Sequence, residues 1–398
     1  MTDDSTPTLG IGMVGYAFMG IAHSHASRNA ASFFDLPAVP RLAVVAGRNA
    51  DAARDTAEKF GWHDVETDWR ALVERDDVDL VDVCTPGDTH AEIATAALRA
   101  GKHVLCEKPL ANSVPEAEAM AQAAEAARAR GARSMVGFTY RRVPAIALAR
   151  TMVADGRIGE IRHVRAQYLQ DWLVDPAAPM SWRLERDRAG SGALGDIGAH
   201  IIDLTQFITG ESIVGVSAMT ETFIDRRPIA DAGGASKLGG HASGDDLPTG
   251  EVSVDDAALF LSRFSGGALA IFEATRYATG RKNAIRIEIN GSAGALAFDF
   301  EEMNTLHFYD GTGAAAMEGF RRILVTEPDH PYLAAWWPPG HLLGYEHGFT
   351  HQAVDLIKAI AGGDDPEPSF VDGLRVQRVL AAVEQSAAKD SAWTTVGN

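Results

Sequence analysis

Over roughly its first 140 residues the chain alternates short apolar runs with helix-patterned segments, and this rhythm leaves few folds open. Apolar runs at Leu9–Val14, Leu42–Ala46, Val78–Cys84, Val104–Cys106 and Ser134–Tyr140 read as strands. Between them lie the helical stretches Ala50–Phe60, His90–Ala100 with Gly101 as its C-cap residue, and the alanine-rich Val114–Arg130. Parallel neighbours need a crossover, so strands regularly separated by helices predict a parallel, doubly wound sheet.

The rhythm changes after Val143. A helix at Pro144–Asp155 leads into a longer strand, Ile161–Trp172. Further strands follow with short turns, at Ala257–Ser265, Ala268–Thr275, Ile285–Asn290 and Ala295–Phe300. Consecutive strands without intervening helices predict an antiparallel sheet. The expected fold class is therefore α/β: an N-terminal Rossmann-type domain over residues 1–142, then an α+β domain over 143–398 with a large, mostly antiparallel open sheet. A chain of 398 residues exceeds what one core usually supports, which agrees with two domains. Arg226–Gly250, rich in Gly, Asp, Ser and Pro, reads as a loop, and Val371–Ala388 as an amphipathic closing helix.

Charge narrows the partners. With 36 Lys+Arg against 54 Asp+Glu, the formal charge is −18, which argues against nucleic acid or an anionic membrane. No signal-peptide pattern or membrane-length apolar run is present. Cys84 and Cys106 both lie in apolar runs, so a disulfide framework is not expected and a reducing cytoplasm fits.

Gly15-Tyr16-Ala17-Phe18-Met19-Gly20 follows the first strand directly and opens a helix. It is the dinucleotide fingerprint with alanine at its middle glycine: the first glycine permits the tight turn, and the last lets the helix pack closely. The second strand ends Ala46-Gly47-Arg48-Asn49, without the acid that usually holds the adenosine ribose. Arg48 suits a 2′-phosphate, which leans toward NADP over NAD. A solvated loop cation is the other reading.

Two constellations carry chemistry. Lys108 closes the apolar run Lys102–Pro109. A buried ammonium is costly unless paired, and lysines so placed are often chemical rather than structural. Asp196 and His200 are four apart after the glycine-rich stretch Gly190–Gly195, beside the apolar stripe Ile197, Ile201, Leu204 and Ile208. A histidine there can exchange protons near neutral pH with a carboxylate to tune it. The spacing fits equally a capping aspartate and a satisfied core histidine. His347 and His351 are also four apart, but no third ligand stands at firm spacing, so no metal is expected.

Taken together, Gly-x-Ala-x-x-Gly at 15–20, Thr85-Pro86 with His90, Gly101-Lys102-His103-Val104 leading to Glu107-Lys108-Pro109, and Gly195-Asp196-x-x-x-His200 resemble the Gfo/Idh/MocA oxidoreductases. That family includes glucose–fructose oxidoreductase and inositol dehydrogenase, and the resemblance runs over nearly the whole chain. It implies an NAD(P)-dependent dehydrogenase acting on a secondary alcohol of a sugar, anhydrosugar, sugar derivative or inositol. By the resemblance, Lys108 reaches the reacting hydroxyl, His200 is the general acid/base, and Asp196 orients substrate and supports the histidine. Gly15, Ala17, Phe18, Met19, Gly47, Arg48, Thr85, Pro86, His90, Glu107 and Lys108 become candidates for holding the nucleotide. Tyr140, Arg141, Asp171, Trp172, Trp182, Arg183, Arg276, Asn283 and Tyr345 become candidates for lining the substrate pocket. A homodimer or homotetramer is implied. Two other readings stay open: a glycoside-cleaving enzyme that keeps its nucleotide bound, and a non-catalytic nucleotide sensor.

Overall fold

A computed structural model describes residues 6–229, 240–242, 247–314, 316 and 318–397. They form two compact units. One runs to Thr139 and takes in Gly344–Arg375; the other holds Tyr140–Leu343 and the chain from Val376 onward.

The first unit opens with β1 (Thr8–Val14), α1 (Phe18–Phe33), β2 (Val39–Ala46), α2 (Ala50–Phe60), β3 (Asp64–Glu66) and α3 (Trp69–Glu74). It continues through β4 (Leu80–Val83), α4 (His90–Arg99), β5 (His103–Cys106), α5 (Val114–Arg128) and β6 (Ser134–Val136). All six strands are parallel, in the order β3-β2-β1-β4-β5-β6. This is the doubly wound order whose reversal, between β1 and β4, makes a ligand crevice at the carboxyl ends of the strands. Burial on both faces explains the apolar runs: Val104, Leu105 and Cys106 of β5 are all buried.

The second unit contains α6 (Pro144–Ala154), β7 (Ile161–Leu169), the short α7 (Arg186–Ala189), α8 (Ala199–Thr209), β8 (Ile213–Glu221), β9 (Arg226–Pro228) and β10 (Thr249–Glu251). Then come β11 (Ala257–Phe264), β12 (Leu269–Thr275), β13 (Ala284–Gly291), β14 (Gly294–Asp299), β15 (Thr305–Asp310) and β16 (Arg321–Leu324). The chain ends with α9 (Tyr345–Gly362), α10 (Phe370–Ala387) and β17 (Thr394–Thr395). Nine strands form one open sheet, β16-β15-β14-β13-β7-β12-β11-β8-β17, antiparallel except where β12 meets β7. On β11 and β12 burial alternates. Phe260 and Phe272 stack inward at 4.5 Å, while Leu259, Leu261, Leu269 and Ile271 point outward and stay about half exposed.

Several boundaries differ from the sequence reading. The strand expected to reach Trp172 stops at Leu169, and the one expected to reach Tyr140 stops at Val136. The loop expected over Arg226–Gly250 carries a hairpin, β9 with β10; residues 230–239 and 243–246 lie outside the described residues. Residues 344–375, which the sequence reading kept in a single C-terminal domain, pack with the first unit. Leu356 and Ile357 of α9 join Met13, Val45, Leu80 and Leu105 in one core, so the α9 apolar face is used there.

Candidate active site

In the first unit the nucleotide fingerprint has the backbone its glycines demand. Gly15 has φ +99, a left-handed conformation, and a Cβ there would stand 2.8 Å from the Cys84 carbonyl oxygen. A Cβ on Gly20 would stand 2.3 Å from the Gly15 carbonyl, so α1 can lie this close to the turn only with glycine. Ala17 is the N-cap of α1 and offers no side-chain acceptor to its first N–H groups, which leaves that end of the helix suited to an anionic pyrophosphate. Ala17 and Phe18 are exposed and Met19 half-buried. Tyr16, not singled out from the sequence, lies over Gly47, where a Cβ would fall 1.8 Å from its ring. Arg48 is exposed, and the next residue, Asn49, caps α2 by accepting from the Asp51 and Ala52 N–H groups. These features fit a dinucleotide.

Other residues from the same list hold loops. His90 is buried, its two ring nitrogens 2.8 Å from the Thr85 carbonyl and 2.9 Å from the Pro109 carbonyl, so it ties the loop after β4 to the one after β5. The Thr85 hydroxyl accepts from Thr89, as does the Pro86 carbonyl. Lys108 is half-buried, and the buried charge beside it belongs to Glu107. The Glu107 carboxylate points inward to His23 at 3.0 Å, so it is part of a buried cluster; the sequence reading had placed it among the nucleotide contacts. Tyr345 stacks on Phe18 and packs against Phe349 within this unit.

In the second unit Asp196 and His200 stand where a π turn, Leu194–Gly198, runs into α8. Asp255 holds this helix start: its carboxylate accepts from the Gly192 N–H (2.7 Å) and the Leu194 N–H (2.8 Å), and its carbonyl from Ala193 (2.9 Å). Burial pushes the Asp255 pKa up, against the pull of Arg276 and these N–H groups. Arg276 is fully buried. It donates to the Asp255 carbonyl at 3.0 Å and lies 3.6 Å from the Asp196 carboxylate. It therefore backs Asp196 from inside the fold, a correction to its expected place on the pocket wall. Burial lowers the Arg183 pKa while Asp196 opposes that shift, and Arg183 stacks over Trp182 at 4.5 Å.

His200 is buried edge-on to the Tyr140 ring (4.7 Å between centroids), with Tyr168 at 5.8 Å. Arg141 is committed elsewhere: it grips Asp203 of α8 with two guanidinium nitrogens, 2.8 and 2.5 Å away, and both residues are buried. It anchors the Tyr140–Arg141 turn to α8, where the sequence reading had expected a substrate contact. Asp171 accepts from Lys282 (2.7 Å) and the Gly280 N–H, with Lys282 holding its carboxyl below the ordinary range.

A polar chain runs from Trp172 to Tyr140, and donor chemistry fixes its direction. The indole N–H of Trp172 can only donate, so Gln170 presents Oε1 to it (2.9 Å) and its amide N–H to Asn283 Oδ1 (2.8 Å). The Tyr168 hydroxyl donates to the same Oδ1 (2.7 Å), and Tyr140 then donates to the Tyr168 oxygen (2.9 Å). The Tyr140 oxygen consequently meets any further group as an acceptor, beside His200. Sequence reasoning missed Tyr168 and Gln170, although the even-numbered positions Val164, Ala166 and Tyr168 share the buried face of β7 and Gln170 continues the series.

Residues 9–138 match the oxidoreductase family with an NAD-binding Rossmann fold, and residues 146–297 match the GFO/IDH/MocA C-terminal domain. The levoglucosan dehydrogenase of Pseudarthrobacter phenanthrenivorans is 42% identical over 98% of both chains. This chain belongs to the Gfo/Idh/MocA family. Among solved structures, an oxidoreductase domain protein from Kribbella flavida is 68% identical with a TM-score of 0.93, covering 98% of this chain and 100% of that one. A levoglucosan dehydrogenase in complex with NADH and levoglucosan is 40% identical with a TM-score of 0.90, covering 98% and 99%. As a Gfo/Idh/MocA member the chain is a nicotinamide-dependent oxidoreductase of CH–OH groups.

Proposed function

We propose that this enzyme is an NAD-dependent dehydrogenase of an anhydrosugar of the levoglucosan type. The observation that carries the reading is the full-length likeness to levoglucosan dehydrogenase, at 42% identity over 98% of both chains. The polar wall of the second unit supports it. An aromatic and amide chain with a fixed donor direction, next to a histidine, suits a small ring bearing several hydroxyls.

Lys108, Asp196 and His200 serve one reaction in this reading. The nicotinamide, when bound, supplies hydride exchange. His200 takes the proton from the reacting hydroxyl in oxidation and returns it in reduction. Lys108 stabilises the charge that develops on the hydroxyl oxygen, and Asp196, backed by Arg276, orients the sugar. NAD is the working nucleotide because levoglucosan dehydrogenase has been solved with NADH. The missing acid and the exposed Arg48 support tolerance of NADP beside NAD.

A second copy of the chain covers the outward face of the nine-stranded sheet, whose apolar row includes Met219, Leu259, Leu261 and Ile271. Light scattering should find a dimer or tetramer, and Leu261→Glu should lower that mass; a wild-type monomer would end this part of the reading. No helix among the described residues is long and apolar enough to cross a membrane. Cys84 and Cys106 are free thiols, which fits a cytoplasmic enzyme.

The test is a screen of NAD and NADP with levoglucosan, common pyranoses and inositols, followed by nicotinamide absorbance. Levoglucosan with NAD should give the highest kcat/KM, and Lys108→Ala should lower kcat about a hundredfold or more. A better inositol or pyranose substrate would overturn the anhydrosugar assignment. Full turnover by Lys108→Ala would overturn the role of the lysine.

A further inference from the structure

His23 was not among the residues the sequence pointed to, yet it occupies the most charged position inside the first unit. It lies on α1, three residues past Gly20, and its side chain is 3% exposed. Nδ1 stands 2.9 Å from both carboxylate oxygens of Asp82, and Nε2 stands 3.0 Å from Glu107 Oε1. A neutral imidazole carries one N–H and would turn a lone pair toward one of these carboxylates. Only the imidazolium donates to both. The other groups facing the ring are the Cys84 sulfur, 3.4 Å from Nδ1, and the Phe349 ring, 5.6 Å away on α9.

Burial by itself would lower the His23 pKa, but Asp82 and its hydrogen bond raise it, and the balance lies well above the ordinary histidine value. Burial pushes the Cys84 thiol up, so its sulfur carries no charge there. His23, Asp82 and Cys84 bring three possible ligand atoms within 4.8 Å. A protonated thiol and nitrogen–oxygen separations of 2.9 Å describe hydrogen bonds, whereas zinc would need about 2.0–2.2 Å to nitrogen and oxygen.

The cluster reaches the chemistry through one residue. Glu107 Oε2 accepts the backbone N–H of Lys108 at 3.2 Å. Room for this carboxylate comes from Gly137, where a Cβ would stand 2.6 Å from Glu107 Oε1. Held from one side by His23, Glu107 fixes the peptide from which the Lys108 side chain leaves. We propose that His23 is a positioning residue: a lasting imidazolium that bridges Asp82 and Glu107 and, through Glu107, sets the backbone of Lys108. This rests on the reading of Lys108 as the group that meets the reacting hydroxyl.

Two measurements test it. In the wild-type enzyme labelled with nitrogen-15 at histidine, the His23 ring should show two protonated nitrogens that do not titrate between pH 6 and 9. Titration near the ordinary histidine value of about 6.5 would overturn the proposal. The second measurement is a cycle of His23→Gln, Glu107→Gln and the double variant, with kcat, KM and NADH affinity followed against pH. His23→Gln should lower kcat roughly ten- to a hundredfold with little change in NADH affinity. The loss should be smaller in the Glu107→Gln background. An equal loss in both backgrounds would mark a purely structural histidine and refute the proposal. Lys108→Ala runs beside the cycle. If that variant keeps full turnover, the reading of Lys108 fails, while the ring titration still decides the charge on His23.

Discussion

Two arginines, one from each unit, are handled in opposite ways. In the first unit Arg75 sits at the surface among three carboxylates, with Asp64 at 2.7 Å, Asp77 at 2.8 Å and Glu66 at 3.6 Å, all partly open to water. In the second, Arg276 is sealed from solvent with Asp196 at 3.6 Å, Asp256 at 3.9 Å and the Asp255 carbonyl at 3.0 Å. Water screens the first arrangement, whereas in the second it reaches only Asp196 and neither Arg276 nor Asp256. Charge around Arg75 therefore decorates the surface of the first unit, whose buried charge lies elsewhere, at His23, Asp82 and Glu107. In the second unit the charge of Arg276 helps to build the segment that carries Asp196 and His200.

The sharpest test of that contrast is chemical. His200→Asn should lower kcat by about 10²–10⁴ while NADH still binds, because the proposed proton transfer is lost and the first unit is untouched. Steady-state kinetics with an NADH fluorescence titration check this. A kcat within threefold of wild type would break the assignment of proton transfer to the second unit.

How much could be read from the sequence divides along the same line. In the first unit, sterics made the residues legible: only glycine takes φ +99 at position 15 or leaves α1 clear at position 20, so the fingerprint announced its backbone. Doubly buried strands likewise wrote themselves as apolar runs. Short edge elements such as β3, of three residues, carried too little pattern to be seen. In the second unit Asp196 and His200 were found through a motif, but their support was invisible. Asp255 lies 63 residues beyond Gly192 and Arg276 21 beyond Asp255, and no local spacing joins them. Arg141 and Arg276 looked like pocket cations because the sequence shows charge without showing burial. His23 was missed for the same reason, since its partners Asp82 and Glu107 lie on two later strands of the sheet or at their ends.

The buried arginine gives the next largest effect. Arg276→Met removes the partner of Asp196 and Asp256 and strands the sealed Asp256 carboxylate, so unfolding in urea should show a loss of about 3–5 kcal/mol. The Asp255 carbonyl also loses its guanidinium donor, so activity should fall in the fraction that stays folded. A loss below about 1 kcal/mol would mean that the buried cluster is no more demanding than a surface one.

The smallest effect belongs to Arg75, and pH sets its sign. Hydrogen bonding from Arg75 holds the Asp77 carboxyl down at about 2 and lowers Asp64 as well. A carboxylate whose folded pKa is depressed contributes stability above its unfolded value, about 3.9, and loses it as pH falls through the folded value. Both partners are open to solvent, so screening limits the gain to about 0.5–1 kcal/mol. Arg75→Gln should therefore lower stability by that amount at pH 7 and at moderate salt. The difference should narrow below pH 4 and be gone near pH 2, and at neutral pH it should shrink as salt is added. Urea unfolding at several pH values reads it directly. If the Arg75 variant lost as much as Arg276→Met, exposure to water would not be what separates the two clusters.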